Sequence, residues 1–238
     1  MKNFYILKTG TTFPSILAEH GDFDQWTVNG LETGGKRCRV VNVEGGAGLP
    51  DPGDCLAVVI TGSHAMVTDD LPWSLEIEKW LPGLLRAEVP LLAICYGHQL
   101  LARALGGRVG YHPRGIETGT VEIRLEPEAA GDPLFASMPV RFPANVDHSQ
   151  SLIELPPGSV RLAVSPHEPC HAFRVGSCAW GVQFHPEFTA TIMRLYILAQ
   201  EARLRDEGHD ADALLAGIRE TPVAGSILKR FALIAGLA

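Results

Sequence analysis

The sequence predicts an α/β fold organised round a mostly parallel sheet. Three observations lead there. Apolar runs alternate with helical periodicity through the first half, the pattern of βαβ units. Two of those runs are apolar throughout, as expected of parallel strands covered on both faces. The second half changes to short strands between Pro- and Gly-rich turns, which adds a small antiparallel element before C-terminal helices.

In chain order, strands are expected at residues 4–7, 39–43, 56–60 and 89–94. Between the last two, residues 73–86 carry a helical stripe of Trp73, Ile77, Trp80, Leu81, Leu84 and Leu85. A second helix is expected over 97–105, closed by Gly106-Gly107. Residues 118–125 alternate as a half-solvated strand, and further strands are expected at 140–142, 160–164, 170–175 and 179–184. A helix over 189–203 follows, and residues 211–237 read as one or two helices interrupted at Thr221-Pro222. No internal repeat, low-complexity tract or linker is visible, so one domain over 1–238 is expected. Its core would cover about 4–203, with a helical extension at 204–238.

Composition excludes several functions. The 238 residues are 46% hydrophobic, enough for a sizeable core. No apolar stretch approaches the roughly 20 residues of a membrane span, and the N-terminal apolar run is too short for a signal peptide. The net charge of −7, without a basic run, argues against nucleic acid as partner. Five cysteines form no paired framework, so a reducing, cytoplasmic setting is expected.

The window Val89-Pro90-Leu91-Leu92-Ala93-Ile94-Cys95-Tyr96-Gly97-His98-Gln99 carries the chemistry. An apolar strand ends in a cysteine and a helix begins at once, which is the pattern of a nucleophile elbow. The turn is tight, and the small residues Ala93 and Gly97 stand two places to either side of Cys95. A cysteine at a helix N-terminus feels the positive end of the helix dipole, which favours the thiolate. The amide of Tyr96 would face an oxyanion forming on a substrate carbonyl. Cys38, Cys55, Cys170 and Cys178 lack such flanks and read as core cysteines.

A cysteine nucleophile needs a base and a group to orient the base. The segment Gly181-Val182-Gln183-Phe184-His185-Pro186-Glu187 supplies both, since residues i and i+2 of an extended chain project to the same side. Pro186 biases His185 toward extended geometry, which lets Glu187 reach one imidazole nitrogen while the other faces the thiol. Taken alone, the window also admits a hydrogen-bonded structural histidine. A zinc deaminase site, which also opens on His-x-Glu, needs a following Pro-Cys-x-x-Cys; no cysteine follows Cys178, and no metal is expected. Upstream, the strand at 56–60 ends in Thr61-Gly62-Ser63-His64, a small loop suited to giving a second backbone N–H to an oxyanion.

These three windows resemble the signature regions of the class I, triad-type glutamine amidotransferases, in the order that family shows. The likeness spans roughly residues 4 to 200. Within the family, the chain is similar to the branch of the GMP synthetase amidotransferase domain: His148-Ser149 with Leu152 and Leu155-Pro156 resembles its His-Gly-Asp-x-Val-x-x-Leu-Pro stretch, and Glu117 with Gly119 resembles its Glu-x-Gly element. The resemblance implies a flavodoxin-like three-layer sandwich and hydrolysis of glutamine to glutamate and ammonia through a γ-glutamyl thioester. It implies Cys95 as nucleophile, His185 as base and acid, and Glu187 as orienter. Gly62, Ser63 and Tyr96 would form the oxyanion hole; Gln99, His148 and Ser149 would hold the amino-acid end of the substrate. No cofactor is implied, and the ammonia acceptor would lie on a separate synthetase.

The sequence departs from that branch in places. Thr61-Gly62-Ser63-His64 stands where Ser-Gly-Gly-Pro is usual, and Ser149-Gln150 where Gly-Asp is usual. Gly45-Gly46-Ala47-Gly48 is followed by no Gly-Lys-Ser/Thr and is not a nucleotide-binding loop. Two rival readings stay open. One is a γ-glutamyl peptidase or hydrolase with the same triad, separated from a glutaminase only by the pocket beyond the amide nitrogen. The other is a non-catalytic regulatory or binding subunit.

Overall fold

The computed structural model describes residues 2–33 and 38–237; Met1 and Ala238, the ends of the expected 1–238 unit, lie outside them. The elements run β1 (Asn3–Lys8), α1 (Pro14–His20), α2 (Phe23–Leu31), β2 (Cys38–Asn42), β3 (Cys55–Ile60), α3 (Pro72–Arg86), β4 (Leu91–Ile94) and α4 (Tyr96–Ala104). They continue with β5 (Arg108–Tyr111), β6 (Glu117–Leu125), β7 (Arg141–His148), β8 (Gln150–Glu154), β9 (Val160–Val164), β10 (Ala172–Val175) and β11 (Ala179–Val182). The C-terminal helices are α5 (Ala190–Ala199), α6 (Glu201–Asp206), α7 (Ala211–Gly217) and α8 (Pro222–Ile234).

Among the described residues, nine strands form one sheet in the order β2-β1-β3-β4-β11-β10-β9-β6-β7, and β5 and β8 form a separate antiparallel pair. The ladders from β2 through β11 are parallel; those from β11 through β7 are antiparallel. The α/β class read from the sequence is the class observed.

The continuous apolar runs in β3 and β4 follow from coverage on both faces. Phe4, Ile6, Ala57, Val59, Leu92 and Ile94 enter one core, closed by Leu31 of α2 and Ile227, Leu228 and Phe231 of α8. Their neighbours Leu7, Val58, Ile60, Leu91 and Ala93 enter a second, closed by Ile77, Leu81 and Leu84 of α3 and Leu100 and Leu101 of α4. The alternation is the period-2 geometry of a strand, read on both sides. The C-terminal segment therefore helps to close a core. A third cluster lies under α1, α2 and α5, around Phe23, Phe188 and Tyr196.

Several elements differ from expectation. Helix α5 ends at Ala199 and α6 begins at Glu201, because Gln200 leaves the helical region at φ −110°, ψ 6°. The strand expected at 140–142 is the start of the longer β7. Helices α1 and α2 and the β5–β8 pair were not expected as elements. Pro222 stands at the first position of α8, where its missing N–H costs no hydrogen bond.

Candidate active site

The carboxyl ends of β3, β4 and β11 converge, the usual location for a site in an open α/β sheet. Strand β4 ends at Ile94, and Cys95 is the N-cap of α4 with φ 49° and ψ −99°. That backbone is sparsely populated for a residue with a Cβ, and such strain is typical of a sharp strand-to-helix turn. Two contacts hold it: the Cys95 N–H donates to Val182 O at 2.8 Å, and the Gln99 N–H donates to Cys95 O at 3.1 Å. Gly97 is required by close approach, since a Cβ there would lie 2.9 Å from the Ile60 carbonyl.

Just beyond β11, the His185 N–H donates to Asn145 O of β7 at 2.8 Å. The imidazole is buried, stacked on Phe188 with ring centroids 4.1 Å apart. Its Nδ1 lies 2.8 Å from Glu187 Oε1, and the ring lines the same cavity as Cys95. Burial pushes the His185 pKa down, but the Glu187 carboxylate and the Cys95 sulfur outweigh it and hold the ring well above the ordinary histidine value. The structure thus brings Cys95, His185 and Glu187 together.

Gly62 packs against this ring: a Cβ there would lie 2.9 Å from His185 Cε1. Thr61 fixes the loop through Thr9, whose N–H donates to Thr61 Oγ1 at 3.1 Å and whose hydroxyl donates to Thr61 O at 2.9 Å. Ser63 and Tyr96 line the cavity beside Cys95. The Tyr96 hydroxyl, however, turns away and donates to Ser74 Oγ at 2.6 Å.

Gln99, His148 and Ser149 also line the cavity. The Gln99 amide donates to Gln150 O at 2.8 Å and to Gln183 Oε1 at 2.9 Å, so its N–H groups are engaged within the protein. His148 is buried and held from both sides: Nδ1 lies 2.9 Å from Gln150 O and Nε2 3.0 Å from Glu117 Oε2. The same carboxylate lies 3.2 Å from His171 Nε2 and accepts from Ser165 Oγ at 3.2 Å. Burial raises the Glu117 pKa, but the two histidines more than reverse this and hold it well below the carboxylate range; burial lowers His148, and Glu117 reverses that to raise it. Glu117 and His148 are register partners on β6 and β7, so the two family-like elements of the sequence meet as one buried pair.

The cavity of about 310 Å³ also exposes residues that the sequence did not single out. Asp147 O lies 3.7 Å from Cys95 Sγ, and the Asp147 carboxylate accepts from Gln200 Nε2 at 3.2 Å. Arg203 donates to Ser149 Oγ at 3.2 Å. Phe13, Phe23, His64 and Tyr196 line the same cavity. Only the position of Asp147 directly before His148 was a local signal; the aromatic residues come from elements distant in sequence. Among the described residues, no group of three or more His, Cys, Asp or Glu side chains has the geometry to hold a metal ion, and no helix is long and apolar enough to cross a membrane.

A strained cysteine at the head of a helix and an imidazole paired with a carboxylate share one cavity at the end of this α/β sheet, the grouping the sequence windows led one to expect. Comparison with known proteins agrees: residues 24–204 match the class-I glutamine amidotransferase family model, and the chain belongs to that family of enzymes. It is 36% identical over 141 residues to a glutamine-hydrolyzing GMP synthase of Thermomicrobium roseum, a match covering 59% of this chain and 25% of that protein. It is 34% identical over 143 residues to one subunit of the glutamine-hydrolyzing GMP synthase of Ignicoccus hospitalis, covering 60% of this chain and 72% of that one. The chain thus spans about a quarter of the length of the full GMP synthase and most of the separate subunit. Among solved structures, a glutamine amidotransferase of Thermotoga maritima superposes with a TM-score of 0.77 at 22% identity, covering 99% of this chain and 98% of that one; it shares the fold.

Proposed function

We propose that the chain hydrolyses the side-chain amide of glutamine to glutamate and ammonia through a γ-glutamyl thioester on Cys95. The observation that carries this reading is the strained Cys95 elbow beside an imidazole whose protonated form Glu187 favours. His185 takes the thiol proton as the sulfur attacks the amide carbon, then gives it to the departing nitrogen. A water, deprotonated by the same ring, releases glutamate. Glu187 fixes the tautomer and stabilises the imidazolium. The N–H groups of Ser63 and Tyr96, with Gly62 allowing the loop its approach, receive the oxyanion. Gln99, His148 and Ser149 shape the acyl side of the cavity.

The names of the relatives support passing ammonia to a separate synthetase, since one of them is a subunit of a GMP synthase. The packing of α8 into the main core supports treating 1–238 as one unit rather than a core with a detachable tail. All five cysteines are free, which fits a reducing cytoplasm.

The test is glutamate release by the wild type and by Cys95→Ala. Loss of a covalent nucleophile typically lowers the rate by several orders of magnitude. A folded Cys95→Ala protein keeping more than about a tenth of the activity would overturn the reading.

A further inference from the structure

The cavity is lined by two kinds of side chain. Gln99, Asp147, Ser149 and Arg203 are polar; Phe13, Phe23, His64 and Tyr196 are rings, with Met66 and Ile116 also in the lining. The rings are a single contact set. The Phe13 ring lies 4.5 Å from His64 and 5.2 Å from Tyr196, and Phe23 lies 6.0 Å from His64 and 6.5 Å from Tyr196, centroid to centroid. This set reaches the catalytic imidazole: Phe23 lies 6.2 Å from His185, the planes inclined by 25°.

That adjacency bears on the leaving group. In the proposed reaction His185 protonates the leaving nitrogen, so the leaving group departs past His185 and beside the aromatic set. Ammonia has no apolar surface to place on four rings. The cavity, at about 310 Å³, also reaches the size range of sites that take ligands well beyond an amino acid (about 300–1,000 Å³).

From the aromatic set beside His185 we infer that the site acts on γ-glutamyl amides of primary amines bearing an apolar or aromatic body, with the substituent against Phe13, His64 and Tyr196. The amine carries no carboxylate: Arg203 is the one Lys or Arg among the described lining residues, and it is engaged with Ser149 and Glu207. The step balances without any further reactant. The Cys95 Sγ–Cδ bond forms, the Cδ–N bond breaks, and the thiol proton passes through His185 to the amine. Water then cleaves the thioester, returning glutamate and free thiol. The departing amine gains a proton in water and becomes a cation that ring faces attract.

This inference rests on the amide-hydrolase reading. Its test compares kcat/KM of the full chain on glutamine, γ-glutamylglycine and γ-glutamyl-phenethylamide. Burial of a phenyl group favours the phenethylamide over glutamine by roughly ten- to hundred-fold, with γ-glutamylglycine giving no such gain. Phe13→Ala lowers the phenethylamide-to-glutamine ratio, and Phe13→Leu, which keeps apolar volume, lowers it less. Glutamine matching or exceeding the phenethylamide would overturn the inference while leaving the hydrolase reading intact. So would a ratio unmoved by Phe13→Ala. If no compound yields glutamate, both readings fall.

Discussion

Replacing Glu187 by Gln changes one proton-accepting oxygen into an amide and leaves the side-chain shape nearly unaltered. The Glu187 side chain is 0% exposed and its Oε1 lies 2.8 Å from His185 Nδ1. A charge-assisted hydrogen bond in such a buried place contributes about 1.5–3 kcal/mol, which converts to roughly a 10- to 150-fold loss in kcat/KM. Gln can still accept the Nδ1 proton, so orientation partly survives. His185→Ala removes the proton carrier itself and should reduce activity to near background. The variant also has a pH signature. In the wild type, burial lowers the His185 pKa but Glu187 and the Cys95 sulfur raise it above the ordinary value. The imidazolium, and the stability it shares with Glu187, is therefore fully present below about pH 6.5 and lost only as pH rises through the raised value. Removing the carboxylate should move the alkaline limb of kcat/KM to lower pH. The assay is steady-state glutamate release across pH for both variants, with circular dichroism to establish folding. Equal inactivity of Glu187→Gln and His185→Ala, or an unmoved alkaline limb, would refute the orienting role.

Two further substitutions probe what surrounds the triad. Gly62→Ala places a Cβ 2.9 Å from His185 Cε1, so ring or loop must shift; kcat/KM should fall about ten- to hundred-fold in a protein that still folds by circular dichroism, and full activity would contradict the tight packing. Glu117→Gln removes the nearer of the two carboxylates beside buried His148, leaving Glu168 Oε2 at 4.0 Å, and should destabilise the fold by about 3 kcal/mol in chemical denaturation. The Glu117 pKa is depressed, so its stabilisation is present above the ordinary carboxylate range and lost as pH falls toward the folded value. The wild type should therefore lose stability on acidification more steeply than the variant; parallel curves would refute the pairing.

Cys95 was legible because its turn imposes local demands: a small residue on each side, an apolar strand before and a helix after. His185 and Glu187 were legible because an extended chain turns i and i+2 to one side. Pro222 marked the start of α8 for an equally local reason. The aromatic set was not legible, since Phe13, His64 and Tyr196 meet only when α1, the β3 loop and α5 fold together. Strand β7 was read only at its first residues although Phe142, Ala144 and Val146 alternate into the core, because Pro143 inside the run argues against a strand. Helix α1 spans seven residues with only Ile16 buried, too short to show a period. The links from Glu117 to His148 and from Asp147 to Gln200 depend on pairing across tens of residues, which no short window encodes.

Catalysis through Cys95 requires a covalent acyl group on one sulfur. Acid-quenching the enzyme during turnover of glutamine and mapping the peptides by mass spectrometry reads it out. One γ-glutamyl group is expected on the peptide containing Cys95, discharged by hydroxylamine and absent from Cys95→Ala. Turnover with no adduct on Cys95 under conditions that accumulate acyl-enzyme, or an adduct on Cys38, Cys55, Cys170 or Cys178 instead, would contradict it.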